Sequence, residues 1–183
     1  VEDSIDGYDV YLTIDSTIQD LLQTAIDETV EHTDSERVWG GVMEIESGKI
    51  LAWGQSPNYD PNSLNIEDYN NLGSQYVYEP GSVFKPITYA AAIDSGNYDG
   101  DALVDSSPFC YTSDSNNNPI RTYGDGYGCI YNYELESWGS VPYDYGVIYS
   151  SNTITSSVLS EVLGPDKFLE YLDRFKIFDA VDT

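Results

Sequence analysis

The sequence predicts an α/β fold of the α+β kind, in which antiparallel sheet strands pack with helices. Three observations support it. Two strand-like runs are separated only by Ser47 and Gly48, a short loop of the kind that joins antiparallel strands. Other segments carry apolar residues at helical spacing. The chain of 183 residues, 40% hydrophobic and 14% aromatic, is also long and apolar enough to bury a core as one domain.

The amino-terminal part, residues 9–32, is predicted to form a strand and a helix. The run "DVYLTI" at 9–14 alternates and is rich in β-branched residues, which is typical of a strand. Asp15 or Ser16 can cap the helix that follows, which ends near His32. The apolar stripe of this helix consists of Ile18, Leu21, Leu22, Ala25, Ile26 and Val30.

The remaining elements follow from the same two periodicities. The runs "VWGGVMEIE" and "KILAWGQ" predict a β-hairpin over residues 38–55. After a polar loop broken by prolines, residues 82–95 are predicted to form a helix that a glycine ends. Residues 97–146 show little periodicity and are predicted to form a long loop excursion. Helical spacing returns over residues 150–178, interrupted by a Gly-Pro pair.

The charge balance excludes several classes of partner. The chain has 32 acidic and 7 basic residues, a formal net charge of -25. Such a field repels phosphate backbones and anionic lipid headgroups, so we expect no nucleic-acid binding and no attachment to a membrane surface by charge. The acidic residues are scattered along the chain, which is typical of a solvated surface.

No stretch of the sequence approaches the roughly 18 consecutive apolar residues that a membrane helix needs. The first residues, "VEDSIDGYDV", also lack the basic and apolar regions of a secretion signal. Because the chain begins abruptly, a membrane anchor can lie outside it.

The two cysteines, Cys110 and Cys129, lie in one polar region rich in glycine and asparagine. In an oxidising compartment they could close a loop of about 20 residues, and that bond would stabilise the fold by roughly 3 kcal/mol. The sequence leaves open whether they are bonded. Two thiols and the distant His32 do not make a zinc site, and "DSNNNPIRTYGDG" lacks the turn glycine and closing glutamate of a calcium loop.

The strongest chemical signal is "YEPGSVFKP", in which Ser82 precedes Lys85 by three residues. Residues at that spacing share one face of a helix, so the hydroxyl and the amine are expected to meet. Pro86 is tolerated mainly in the first turn of a helix, which places Ser82 close to the helix start. There the positive end of the helix dipole favours a developing negative charge.

A serine becomes a good nucleophile only when a base takes its proton. The only histidine, His32, lies at the frayed end of a helix, so a Ser-His-Asp triad is not expected and Lys85 takes the role. A neutral lysine requires a pKa lowered by about three units, which costs about 4 kcal/mol. Burial in a dry pocket, walled by groups such as Phe84, Tyr89 and Trp53, must provide that shift.

The S-x-x-K pattern alone is common, but its context is specific. Four stretches resemble, in the same order, the transpeptidase domain of class B penicillin-binding proteins: "DVYLTIDSTIQ", "GGVMEIESGKILAWGQSPNYDPN", "YEPGSVFKPITYAAAID" and "YSSNTI". The string "EPGSVFKP" is the most specific of them. Apart from residues 97–146, the resemblance covers most of the chain, and it implies the fold shared by penicillin-binding proteins and serine β-lactamases.

The resemblance also implies roles for individual residues. Ser82 would be the acylated nucleophile and Lys85 its general base. The second motif of the family, S-x-N, matches Ser150, Ser151 and Asn152. Ser150 would relay a proton to the leaving D-alanine amine, and Asn152 would hydrogen-bond the substrate amide. Without the family, "SSN" indicates only a helix cap.

The third motif of the family, K-T-G on an edge strand, is absent, and "SGK" at 47–49 belongs to the early hairpin. By resemblance that strand supplies an oxyanion-hole amide, a lysine for the substrate carboxylate and an edge for the peptide. Residues 1–183 are therefore interpreted as the amino-terminal part of a transpeptidase domain. The missing carboxy-terminal half would be a partner, and the isolated chain would have little or no turnover.

The implied activity is that of a peptidoglycan D,D-transpeptidase, which forms an acyl-enzyme with D-Ala-D-Ala stem peptides and is acylated by β-lactams. No metal or organic cofactor is implied. The resemblance places the protein at the extracytoplasmic face of the cell membrane, anchored through a segment that this chain lacks. Cell-wall synthesis proteins are possible partners, and the sequence does not distinguish cell division from elongation.

Two other functions remain open at this point. A serine β-lactamase or a β-lactam sensor shares S-x-x-K, although "SGKILAWGQSPNYDPN" favours the penicillin-binding protein. A non-catalytic peptidoglycan-binding module would stack aromatic rings on sugars. Candidate rings interleave with glycines in the excursion, and they are Tyr123, Tyr127, Tyr131, Tyr133, Trp138, Tyr143 and Tyr145.

Overall fold

A computed structural model describes residues 7–63, 69–117, 119–122 and 128–180. The chain divides into two compact units, one that ends at Tyr78 and one that begins at Glu79. The sequence did not predict this division, because apolar periodicity indicates helices and strands but not which of them share a core. Tyr123 and Tyr127 lie outside the described residues.

The first unit consists of a long helix packed on a hairpin. Helix α1 spans Ser16–Thr33 and begins where the Asp15 side chain accepts hydrogen bonds from two free backbone amides. It lies against β1 (Val38–Met43) and β2 (Ile50–Ser56), which pair antiparallel. The predicted helix and hairpin are both confirmed.

The side chain of Gln19 attaches α1 to the hairpin. Its oxygen accepts from the Trp53 backbone N–H at 2.9 Å, and its nitrogen donates to the Trp53 carbonyl at 3.1 Å. Gly54 allows close approach, since a Cβ there would stand 3.0 Å from Ile26 Cδ1. The polar loop that follows contains a short helix, α2 (Leu72–Gln75), capped by Asn71.

The structure does not form the strand predicted over residues 9–14. The run is exposed, and its hydrogen bonds to the hairpin lie at its end, where the Thr13 hydroxyl bonds Ile50 and the Asp15 N–H donates to Leu51. Alternation predicts a strand only where another strand offers a free edge, and none does so among the described residues.

The second unit is built around three helical segments. Helix α3 spans Lys85–Asp94, α5 spans Asn152–Ser157 and continues as a π-helical turn over Val158–Leu163, and α6 spans Pro165–Arg174. A short helix, α4 (Tyr145–Ile148), precedes α5. The main core of this unit consists of Tyr89, Ala92, Val104, Val141, Tyr143, Ile154 and Val158. A second cluster joins Ala91, Leu163 and Tyr171. None of the helices in the described part of the chain is both long and apolar enough to span a bilayer.

The excursion at residues 97–146 is more ordered than predicted. Strands β3 (Leu103–Asp105) and β7 (Ser140–Pro142) pair antiparallel. A second sheet has the order β5-β4-β6, with β4 (Phe109–Ser113) between β5 (Pro119–Thr122) and β6 (Cys129–Ile130). These strands have two to five residues each, too few for a two-residue alternation to be visible in the sequence.

The excursion also carries a buried cation that joins it to α5. The Arg121 guanidinium donates to the Asp105 carbonyl at 2.9 Å, to the Ser107 carbonyl at 3.0 Å and to Ser157 Oγ at 3.2 Å. Its charge also lies 3.7 Å from a carboxylate oxygen of Asp105. Burial of a charge is tolerated only with such partners, so these contacts hold the small sheets against the helix.

Cys110 and Cys129, which face each other across β4 and β6, form a disulfide. The double substitution Cys110→Ser, Cys129→Ser is expected to lower the free energy of unfolding by roughly 3 kcal/mol, because the unfolded chain regains the entropy of the open loop. Urea denaturation of the oxidised, reduced and double-serine proteins measures this. Equal midpoints for all three would contradict it.

Candidate active site

Ser82 lies in a 3-10 turn, Gly81–Phe84, that leads directly into α3. Pro86 occupies the first turn of the helix as predicted, and Lys85 adopts helical angles although it precedes a proline. The Ser82 side chain is exposed and, among the described residues, has no hydrogen-bond partner. The candidate nucleophile is therefore open to solvent at the start of a helix.

The Lys85 amine joins the S-x-x-K and S-x-N motifs. Nζ donates to the backbone carbonyl of Ser150, to Ser150 Oγ at 3.1 Å and to Asn152 Oδ1 at 2.8 Å. Ser150 and Asn152 lie 65 and 67 positions after Lys85 in the sequence. The second unit thus brings Lys85 together with Ser150 and Asn152. The predicted meeting of the Ser82 hydroxyl and the Lys85 amine is not seen among the described residues, because the amine bonds the S-x-N turn instead.

The environment of Lys85 acts in the direction that a base requires. Burial lowers the pKa of the Lys85 amine from its ordinary value, because the charged form loses solvation. Of the predicted pocket walls, Phe84 is half-buried and Tyr89 is in the core. Trp53 belongs to the first unit, where its indole N–H donates to Asn71.

The S-x-N turn combines a helix cap with the two candidate site residues, Ser150 and Asn152. Ser151 is buried and caps α5, since its Oγ accepts from the Ile154 N–H at 3.1 Å. Ser150 adopts the left-handed conformation, with φ of 52°, which is uncommon for a residue other than glycine. The turn exposes Ser150 and Asn152 while the serine between them is buried. Ser151 is therefore the helix cap, whereas Ser150 is the serine that the family motif selects.

The carboxamide of Asn152 has both ends engaged. Its Oδ1 accepts from Lys85, and its Nδ2 donates to the backbone carbonyl of Tyr131 at 2.9 Å. Because an amine only donates here and a carbonyl only accepts, the two contacts determine which way the amide points. Sequence reasoning missed the Tyr131 carbonyl, and no sequence pattern marks a backbone acceptor.

His32 and the aromatic rings of the excursion differ in their exposure and contacts. His32 is exposed at the end of α1, where its Nδ1 bonds the Glu28 carbonyl. Among the aromatic rings of the excursion, Tyr143 is buried and donates to Glu161, whereas Tyr133 is exposed. In the described parts of the chain, no cluster of three or more His, Cys, Asp or Glu residues could hold a metal ion.

Comparison with known proteins identifies the chain. The model of the penicillin binding protein transpeptidase domain matches residues 40–179. The chain is 34% identical over 106 residues to the probable peptidoglycan D,D-transpeptidase PenA of Neisseria flavescens, covering 56% of this chain and 26% of the relative. It is 28% identical over 178 residues to penicillin-binding protein PbpB of Mycolicibacterium smegmatis, covering 94% of this chain and 25% of the relative.

A third relative is the stage V sporulation protein D of Bacillus subtilis, 36% identical over 93 residues, which are 49% of this chain and 14% of the relative. The chain thus spans about a quarter or less of the length of these relatives. The family model covers most of the chain and includes the S-x-x-K helix and the S-x-N turn. The chain therefore belongs to the penicillin-binding protein transpeptidase domain family, in its class B.

Proposed function

We propose that the protein is a peptidoglycan D,D-transpeptidase in which Ser82 attacks the D-Ala-D-Ala amide of a stem peptide. The Ser82 Oγ–carbon bond forms as the amide C–N bond breaks, and D-alanine leaves. The acyl group then passes to an amine on a neighbouring strand. The observation that carries this proposal is the Lys85 amine, bonded to Ser150 and Asn152 at the start of the helix that follows Ser82.

The lowered pKa of Lys85 and the contacts of Ser150 and Asn152 support a role for each of these side chains. Neutral Lys85 takes the Ser82 proton, and its lowered pKa increases the neutral fraction. Ser150 Oγ, 3.1 Å from Lys85 Nζ, passes a proton to the departing D-alanine amine. Asn152 retains one amide proton and one lone pair beyond its present contacts, so it can bind the substrate amide.

The substrate determines the location and the partners that we propose. Relatives bear the name peptidoglycan D,D-transpeptidase, and peptidoglycan lies outside the cytoplasmic membrane. We place the protein at the extracytoplasmic face, with stem peptides as substrates, β-lactams as inhibitors and cell-wall synthesis proteins as partners.

The chain itself contains no K-T-G sequence. By resemblance that motif contributes an oxyanion-hole amide, and loss of one such donor typically slows a reaction by about 100- to 1000-fold. We therefore expect slow acylation and little turnover from these 183 residues alone.

Prolonged incubation with a penicillin is expected to produce a slowly formed adduct on Ser82, which Ser82→Ala abolishes, because the Ser82 hydroxyl is exposed at the start of the helix that carries Lys85. Intact mass and peptide mapping measure the adduct and its site. Ser95→Ala is a matched control, since Ser95 ends the same helix and its hydroxyl donates only to Ala92.

Three results would count against the proposal: an adduct that persists in Ser82→Ala, an adduct on another residue, or no adduct at all. Rapid stoichiometric labelling at Ser82 would support the nucleophile but contradict the expected effect of the absent K-T-G motif. Fast loss of the adduct by hydrolysis would indicate a β-lactamase instead.

A further inference from the structure

Asn132, in the excursion, has no role in the proposed chemistry, yet its side chain bonds both neighbours of Asn152. We propose that Asn132 is a positioning residue that holds the S-x-N turn in the geometry at which Asn152 meets the Lys85 amine. This inference rests on the proposed function for its significance, but the contacts on which it depends can be measured without any acylation.

The oxygen of Asn132 binds the turn on both sides of Asn152. Oδ1 accepts from Ser151 Oγ at 2.8 Å and from the Thr153 backbone N–H at 3.2 Å. The side chains are all buried, with exposures of 7% for Asn132 and 1% for both Ser151 and Thr153. Water therefore cannot replace these contacts, and a buried donor or acceptor without a partner is unfavourable.

The nitrogen of Asn132 connects the S-x-N turn to another part of the excursion. Nδ2 donates to the Glu136 carbonyl at 2.9 Å and to Thr153 Oγ1 at 3.1 Å. Since the Thr153 N–H can only donate and the Glu136 carbonyl can only accept, the orientation of the Asn132 amide is determined. An aspartate would have the same shape but would lose the donor.

Further bonds anchor this network to strands β3 and β7. Thr153 Oγ1 donates to the Ser106 carbonyl at 3.0 Å. Ser106 Oγ accepts from the Trp138 N–H at 2.7 Å and donates to the Gly139 carbonyl at 2.9 Å. Ser106 follows β3 directly and Gly139 precedes β7 directly, so Asn132 contacts a fixed part of the fold.

Tyr131 and Asn132 are neighbours in sequence, and both bond the segment around Asn152. Asn132 binds the residues before and after Asn152, while the carbonyl of Tyr131 accepts from the Asn152 side chain. One dipeptide, Tyr131 and Asn132, therefore holds both the carboxamide of Asn152 and the two residues that flank it. The acceptor that Asn152 offers to Lys85 is placed by these two contacts, and the disulfide at Cys129 holds β6, which leads into the dipeptide.

The test compares wild type with Asn132→Ala by NMR of the whole chain. Two signals report the site: solvent exchange of the Asn152 side-chain amide protons, and the titration midpoint of the Lys85 side-chain carbon next to its amine. In Asn132→Ala we expect amide exchange to become roughly tenfold faster, because one protecting contact loses its support. The Lys85 midpoint is expected to move towards the ordinary lysine value as the amine becomes more solvated.

A matched control separates positioning from general loss of stability. Tyr171→Phe also removes a hydrogen bond of a buried side chain, the one from Tyr171 Oη to Asp94 at 2.8 Å, and lies in the other core cluster. It is expected to lower stability but to leave both NMR signals unchanged. The inference is overturned if folded Asn132→Ala retains the wild-type exchange rate and Lys85 midpoint, or if Tyr171→Phe changes them equally.

Two measurements keep the inference testable if Asn132→Ala does not fold. Asn132→Asp keeps the shape and the accepting oxygen but places a carboxylate oxygen against the Glu136 carbonyl, so the Asn152 amide signals should move at neutral pH. Unmoved signals would overturn the inference. In wild type, the side-chain amide protons of Asn132 must themselves exchange slowly, and rapid exchange would also overturn it. If the NMR results are as expected but no penicillin adduct forms on Ser82, the proposed function is refuted and the positioning role of Asn132 is not.

Discussion

Replacement of Lys85 by methionine is expected to slow acylation of Ser82 by a β-lactam by roughly 100- to 10 000-fold, the usual contribution of a general base. Methionine has a similar length but cannot accept a proton. The three acceptors that lose the amine belong to Ser150 and Asn152, both exposed residues that water can solvate. The fold should therefore persist, and the loss should be confined to the reaction.

The pH dependence of the wild-type reaction has a definite sign. Only the neutral amine can take the Ser82 proton, so the rate should rise with pH through the pKa of Lys85 and level off above it. Because burial lowers that pKa, the plateau should begin below the ordinary lysine value of 10.5. In Lys85→Met this rise should disappear.

Time-resolved mass spectrometry of the adduct, at several pH values, measures both effects. Lys167→Met is the control, since Lys167 is an exposed lysine of α6 that bonds Glu170 at 2.7 Å. It should leave the rate and the pH profile unchanged. A Lys85→Met protein that is acylated as fast as wild type would refute the role of Lys85 as the base.

Substitution of Gly146 by alanine is expected to be among the most destabilising changes in the second unit. A Cβ at this position would lie 1.8 Å from Tyr89 Oη and 2.8 Å from Ile154 Cγ2. Both neighbours are in the core, with exposures of 4% and 0%, so neither can move away freely. Forced insertion of a methyl group into a packed core typically costs about 1–3 kcal/mol.

The same substitution should also affect the site. Gly146 precedes the S-x-N turn, and its carbonyl accepts from the Ser151 N–H at 2.9 Å. A shift of Gly146 away from the core therefore displaces the turn that presents Ser150 and Asn152 to Lys85. We expect Gly146→Ala to reduce the free energy of unfolding and to slow acylation of Ser82.

Thermal and urea unfolding, together with the adduct assay, measure these losses. Gly7→Ala is the control, since a Cβ there meets nothing within 4 Å. Adding Tyr89→Phe to Gly146→Ala removes the closest clashing atom and should restore part of the stability. If Gly146→Ala unfolds at the wild-type midpoint, the packing described for this core is wrong.

Several elements were predictable because the signals that define them are local. Helix α1 shows its apolar stripe and its cap at Asp15, and the β1–β2 hairpin shows a short turn between two strand-like runs. Pro86 restricts the start of α3, so the place of Ser82 was also predictable. The strand over residues 9–14 was wrong, because a strand needs a partner that its own residues cannot specify.

The excursion illustrates the opposite case. Its strands are too short to show periodicity, and contacts between residues distant in sequence hold it in place, as in the bond of Arg121 to Ser157, 36 positions away. Asn132 in the sequence is one asparagine among many in polar surroundings. Only its burial between Ser151, Thr153 and Glu136 distinguishes it from a loop residue.

The sequence by itself determined the family and the two motifs, because the spacing of Ser82 and Lys85 and the S-x-N string are properties of neighbouring residues. Only the tertiary structure decided that the Lys85 amine bonds Ser150 and Asn152, and that Tyr131 and Asn132 hold them there. The physical reason is that a hydrogen bond requires two groups within about 3 Å, and for groups many residues apart the packing of the core sets that distance.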